Sequence, residues 1–173
     1  MSTGSINATA ASLLGFLHAG PMTGWDLDRT VAASISTFWN VTRSQVYREL
    51  HTLADLGYVK AGSAGRRDRR PYTITRSGRR AFAAWIARHP DEPTIRLPFL
   101  LTVFFAEHLP PGRLAEIVAT ERDAHHHALT AFRQLLATGT PGGPFVPDVV
   151  RFGIAYHEAF LAWLDGLDGA NDA

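Results

Sequence analysis

The chain reads as mainly α, with one short β-hairpin in its first half and helices alone in its second. Three observations carry that reading. Apolar residues recur at three- and four-residue steps through most of the chain, as in Val46, Leu50, Leu53 and Leu56. Helix start signals precede such runs, with Thr42 and Gln45 in the S/T-x-x-E/Q spacing of a capping box. Two β-prone runs, Tyr58-Val59-Lys60-Ala61 and Pro71-Tyr72-Thr73-Ile74-Thr75, flank a turn of glycine and arginine. The length of 173 residues suits one domain or two small ones, and 46% apolar residues are enough for a core. The breaker His89-Pro90-Asp91-Glu92-Pro93 is the best linker candidate, so the expected domains are residues 1–90 and 91–173.

In chain order, a first helix is expected over Ile6 to His18, with Leu13, Leu14 and Leu17 inward. Ala19-Gly20-Pro21-Met22 turns the chain, because proline cannot continue a helix. Thr23 caps a second helix, Gly24 to about Ala33, and Asp26 stands where a carboxylate favours the helix start. Phe38 and Trp39 in the next connection are read as a core plug, with a ligand or dimer contact as the alternative. The third helix lies within Thr42 to Gly57 and places Val46, Leu50, Leu53 and Leu56 on one face. Gly57 ends it, since glycine takes the left-handed cap conformation freely. After the hairpin, a fourth helix runs from about Thr75 to Arg88 with Phe82, Trp85 and Ile86 on one side.

The second half predicts three helices. Ile95 to His108 is nearly all apolar, which demands burial on several sides and points to a second subunit. Pro110-Pro111 breaks the chain before Gly112 to Ala137, where Leu114, Ile117, Val118, Leu129, Phe132 and Leu136 are spaced for a helix–helix seam. Asp148 to Gly166 is the last helix.

Charge divides the chain. The net value is +1, yet residues 1–90 hold twelve Lys/Arg against five Asp/Glu, a balance of +7, and residues 91–173 hold five against eleven, a balance of −6. An anionic partner is expected for the first half only. Sixteen of the seventeen basic residues are arginine, which grips phosphates and guanine edges through paired hydrogen bonds; an arginine-favouring codon bias is the plain alternative. Arg66, Arg67, Arg69 and Arg70 cluster in the hairpin turn, as an anion-binding tip or a solvated loop.

Several classes drop out. There is no cysteine, hence no disulfide or thiolate chemistry. No run is long and apolar enough to span a membrane, and the first residues lack the pattern of a signal peptide, so a cytoplasmic location is expected. His125-His126-His127 with Glu121 invites a metal reading, but helical neighbours point about 100° apart and cannot converge on one ion. Glu121 and His125 can share a face, and two ligands are too few for a closed zinc site. No phosphate loop, nucleophile elbow or HExxH appears, so neither a metal nor a cofactor is expected, and no enzyme.

Helix, helix, capped helix, strand, basic turn, strand, helix is the order of a winged helix-turn-helix with a two-stranded wing. Within it, Leu13-Leu14-Gly15-Phe16-Leu17, Gly20-Pro21-Met22-Thr23-Gly24-Trp25-Asp26-Leu27, Phe38-Trp39, Val46-Tyr47 with Leu50 and Leu53, Leu56-Gly57-Tyr58-Val59 and Tyr72-x-Ile74-Thr75-x-x-Gly78 resemble the PadR family of transcriptional regulators. Pro98-Phe99-Leu100-Leu101, Phe104-Phe105-Ala106, Gly153, Glu158-Ala159 and Trp163-Leu164 are similar to that family's C-terminal dimerisation region. The resemblance covers about residues 9–167 and implies a homodimeric, DNA-binding regulator, usually a repressor released by a small molecule. Two departures stand out. Arg48 occupies the place where the family usually has proline, and the wing is short and richer in arginine.

On that reading Arg43, Ser44, Gln45, Tyr47 and Arg48 face the DNA major groove, and Arg66, Arg67, Arg69 and Arg70 grip phosphates or the minor groove. Gln45 has an equal claim to the capping box, and Tyr47 to packing beneath the helix. The partners expected are double-stranded DNA carrying an inverted-repeat operator, a second copy of the chain, and a small apolar or aromatic effector. Trp39, Phe104 and Trp163 are candidates for the effector pocket, or simply for core. The rival is a winged-helix adaptor that binds protein and not DNA, against which the basic wing argues.

Overall fold

The structure, a computed structural model, describes residues 6–36, 38–63, 70–92, 95–139 and 142–167. The chain separates into two compact units, Met1–Glu92 and Pro93–Ala173.

The first unit starts with α1 (Ala8–Phe16), capped by Asn7, whose side chain accepts from the Ala10 amide at 2.8 Å. A two-residue strand β1 (Met22–Thr23) leads into α2 (Gly24–Ser34). Thr23 and Asp26 form a reciprocal capping box there, and Thr42 and Gln45 form another at the start of α3 (Arg43–Asp55). Gly57 follows with φ of 68°, the left-handed turn that ends α3. The wing strands β2 (Val59–Ala61) and β3 (Pro71–Ile74) pair antiparallel, Val59 opposite Ile74 and Ala61 opposite Tyr72. The expected two-stranded wing is joined by β1, which pairs Met22 with Tyr72, so the sheet has the order β1-β3-β2. Met22 therefore belongs to a strand rather than to the turn. Two residues are too few to leave an alternating pattern in sequence.

Helix α4 (Arg76–Ile86) is capped by Thr75, whose hydroxyl accepts from the Gly78 amide at 3.0 Å and donates to the Gly57 carbonyl at 2.8 Å. A Cβ on Gly78 would stand 2.1 Å from the Tyr58 carbonyl oxygen, so this contact between helix and strand admits only glycine. The core gathers Leu13, Leu14, Leu17, Leu27, Val31, Val46, Leu50 and Leu53, all fully buried, and the sheet closes it with Val59, Tyr72 and Ile74, beside the buried Tyr58 that precedes β2. Two expectations fail. Leu56 is 44% exposed, because it is the C-cap residue where the chain leaves the helical path. Phe38 and Trp39 are 55% and 40% exposed, and they do not plug the core.

The second unit holds α5 (Pro98–Phe104), a 3-10 turn over Ala106–His108, α6 (Arg113–Thr138) and α7 (Val146–Asp165). The helix expected from Ile95 starts instead at Pro98, the first helical position, where a missing amide proton does no harm. Its last turn tightens after Phe105 into the 3-10 turn. Helices α6 and α7 pack along most of their length. Val118, Leu129, Val150, Leu161 and Leu164 are buried, and Phe99 of α5 joins Val118 and Leu164. Arg133 binds Glu158 at 2.7 Å and Arg122 pairs with Asp165, both across α6 and α7. Large apolar side chains nonetheless remain outside, with Phe104 and Phe145 each 77% and Phe152 68% exposed. No helix of the described residues is long and apolar enough to cross a membrane.

Candidate nucleic-acid interface

Helix α3 is built to hold a rigid outer face. Its start is fixed by the box in which the Thr42 amide donates to Gln45 Oε1 at 2.8 Å and the Gln45 amide donates to Thr42 Oγ1 at 3.3 Å. Its inner face buries Val46, Glu49, Leu50 and Leu53. Arg43, Ser44, Arg48 and His51 are exposed on the other side. Arg43 lies 5.8 Å over the Tyr47 ring, which stiffens the first turn.

Two of the five α3 candidates are occupied within the protein. The Gln45 side chain is taken up by the capping box, bonded to both the Thr42 amide and hydroxyl. Tyr47 is half-buried, and its ring fills the space beside Gly24 of α2, where a Cβ would stand 2.7 Å from it. Arg70, at the root of the hairpin, is exposed. Arg66, Arg67 and Arg69 lie outside the described residues. On α2, Arg29 stacks over Trp25 at 4.8 Å, a cation on the same unit that sequence reading passed over.

Glu49 is the other residue that sequence reading missed. It is a carboxylate on the inner face, 7% exposed, and it accepts from Asn7 Nδ2 at 3.1 Å. Nothing local reveals this, since its partner lies 42 positions away.

The first unit also carries an open apolar pocket of about 430 Å³, lined by Phe16, Phe38, Trp39, Phe82, Trp85 and Ile86 among others. Trp39 lines it. Phe104 and Trp163 do not. Phe104 packs edge-on against Phe105, and Trp163 against Phe99 and Phe160, all in the second unit. In the histidine run only His125 is buried. Its Nδ1 meets Nδ1 of His157 at 3.0 Å, and its ring stacks on Phe160 at 3.9 Å. Burial lowers the pKa of both imidazoles, and for His157 the neighbouring His125 lowers it further. No cluster of three or more metal-ligating side chains occurs among the described residues.

Three helices closed by a small antiparallel sheet, with the capped third helix exposed beside a hairpin, define a winged helix-turn-helix protein. A model described as the transcriptional regulator PadR-like family matches residues 13–84, and one described as virulence activator alpha C-term matches residues 95–167. The negative transcriptional regulator PadR of Bacillus subtilis (strain 168) is 23% identical over 169 residues, which cover 90% of this chain and 93% of that protein. The solved structure of Bacillus subtilis PadR in complex with operator DNA aligns with a TM-score of 0.79 at 21% identity, covering 93% of this chain and 97% of that one. The same protein in complex with p-coumaric acid aligns with a TM-score of 0.73 at 23% identity, covering 93% and 96%. Residues 13–84 thus carry a PadR-like domain, and the families and relatives that the chain matches are transcriptional regulators.

Proposed function

We propose that the chain is a homodimeric repressor that binds an inverted-repeat DNA operator and is released by a small apolar or aromatic effector. The observation that carries this reading is α3 itself: a helix whose start is fixed by a reciprocal capping box, with Arg43, Ser44 and Arg48 exposed on it. Arg43 lies in the first turn, the part of a recognition helix that reaches base edges. A bidentate contact from it to guanine is worth about 1–3 kcal/mol of discrimination. Ser44 assists at the same edge. Arg48 faces the major groove beside them, and Arg66, Arg67, Arg69 and Arg70 take phosphates or the minor groove and contribute salt-dependent affinity. Gln45 and Tyr47 act indirectly, the first by fixing the helix start and the second by seating it on α2.

The greasy outer surface of the second unit supports the dimer, because patches of that kind on a soluble chain mark an interface. Two copies would set their α3 helices about 34 Å apart, one turn of DNA. The domains then divide the work, residues 1–90 on DNA and 91–173 in pairing. That the Bacillus subtilis relative was solved with operator DNA and with p-coumaric acid supports both ligand classes. The pocket beside Trp39 is the effector site we favour, since its volume falls in the range of small-molecule pockets. An effector works there only by preferring the form of the dimer that does not fit DNA.

The test is selection of bound fragments from genomic DNA, followed by titration at two salt concentrations. Recovery of a two-fold symmetric sequence, bound with steep salt dependence, is the expected result. A protein that retains no duplex at low salt would be an adaptor on this fold, and the proposal would fall.

A further inference from the structure

Glu49 is an anomaly on a DNA-facing helix. A carboxylate taken out of water needs a charged or hydrogen-bonded partner, and in this unit it finds three. Asn7 Nδ2 donates to Glu49 Oε2 at 3.1 Å. Asn7 is also the N-cap of α1, and α1 has no acidic residue in its own first turn. Glu49 therefore supplies, from another helix, the negative charge that the positive end of α1 favours. The third partner is Arg48, whose Nη2 lies 3.6 Å from Glu49 Oε1. Adjacent helical residues point in different directions, yet the long arginine arm folds back from the exposed face toward the buried acid. The Glu49 side chain is 9% exposed and that of Arg48 is 66% exposed, so one end of the pair is fixed in the core and the other stands at the surface.

We infer that Glu49 is a positioning residue that tethers Arg48 and so sets the contrast between the operator and other DNA; this rests on the DNA-binding reading above. While tethered, Arg48 faces an internal anion and adds little attraction for an arbitrary phosphate backbone. On a duplex that seats α3 fully, a phosphate or base edge competes with Glu49 and Arg48 changes partner. Glu49 meanwhile stays bonded to Asn7, which keeps α3 in register with α1. The internal acid thus subtracts from sequence-independent binding more than from operator binding.

The experiment measures salt dependence of binding to a random-sequence 30-base-pair duplex and to the selected fragment, for the full chain. Glu49→Gln keeps an acceptor for Asn7 and frees Arg48. The random-duplex slope of log affinity against log salt should steepen by about one, the value for one added phosphate contact. The ratio of operator to random affinity should fall several-fold. Asp55→Asn removes the same charge from the same helix without touching Arg48, and it should leave slope and ratio within error of wild type. In an Arg48→Ala background the effect of Glu49→Gln should vanish. Should Glu49→Gln fail to fold, Arg48→Ala alone still decides. A tethered arginine predicts a random-duplex slope lowered by less than about half, and a full unit would show that Arg48 was free. Equal effects of Glu49→Gln and Asp55→Asn, or persistence of the Glu49→Gln effect without Arg48, would overturn the tether and leave DNA binding intact. Absence of any duplex binding by wild type would overturn both.

Discussion

The two units use similar apolar content in opposite ways. The first closes its core: eight aliphatic side chains from three helices are fully buried beneath a sheet. Each helix start in it carries a side-chain cap, at Asn7, Thr23, Thr42 and Thr75. Among the described residues the second has no side-chain cap on any helix, and it leaves Phe104, Phe145 and Phe152 largely outside. Local signals thus define the first unit as a structure by itself. The second has an inner seam between α6 and α7 and leaves those large apolar side chains outside it. A fold that is finished internally suits the proposed DNA-reading role, which must hold one shape, and exposed apolar side chains suit the proposed pairing.

The sharpest way to test the contrast is to add one methyl group to each unit. Gly78→Ala places a Cβ 2.1 Å from a backbone carbonyl, which cannot swing away, so the first unit should lose about 3 kcal/mol or more. Gly153→Ala places its Cβ 2.9 Å from the tip of the Phe132 ring, which can turn, and should cost under about 1 kcal/mol. Thermal or urea melts of the two variants compare them directly. Similar losses would mean that the second unit is as tightly fitted as the first.

Breaking the outer face should come next in size. Phe152→Asp puts a charge on the exposed side of α7 while sparing the α6–α7 seam. If that face pairs two copies, the dimer dissociation constant should rise at least about a hundredfold, or about 3 kcal/mol, as seen by sedimentation. Unchanged mass in solution would remove the face from the interface. On the reading head, Arg43→Ala should reduce discrimination between the operator and its variants by about 1–3 kcal/mol. Arg69→Ala should instead weaken all duplexes alike and flatten the salt slope by about one. Indistinguishable behaviour of the two variants would abolish the division between reading and gripping residues.

What sequence disclosed follows the range of the interactions involved. The boxes at Thr23–Asp26 and Thr42–Gln45 span three residues, and so does the Thr75–Gly78 cap; such contacts are written locally. The order of helices and wing strands was legible for the same reason. The buried role of Glu49 was not, because a lone acid between Arg48 and Leu50 looks solvated until Asn7 comes beside it. The strand Met22–Thr23 is visible only through its pairing with Pro71 and Tyr72. Phe38 and Trp39 looked like core because aromatic pairs usually are, yet they line an open pocket that no periodicity encodes. Of the site, the outward arginines of α3 could be read from their helical phase. The withdrawal of Gln45 and Tyr47 into capping and packing needed geometry.

The smallest expected effect returns to the second unit. His125 of α6 and His157 of α7 meet across the seam from 32 positions apart, a pairing that helix spacing alone does not write. As neutral rings, one donates its Nδ1 proton to the other's bare Nδ1. Burial holds both pKa values below the ordinary histidine value of 6.5. The unfolded chain therefore binds more protons than the folded one just below that value, and stability rises with pH through the window. This contribution is complete above about 6.5 and is lost as pH falls toward the depressed folded values. A second proton would set two imidazolium donors face to face between α6 and α7. Melting temperature should accordingly fall from pH 7 to pH 5 by more in wild type than in His157→Phe, which removes the partner and keeps an aromatic ring. The first unit contributes no such histidine pair among the described residues, so the acid-sensitive transition should report α6 and α7. Parallel curves for wild type and His157→Phe would show that the pair plays no part in it.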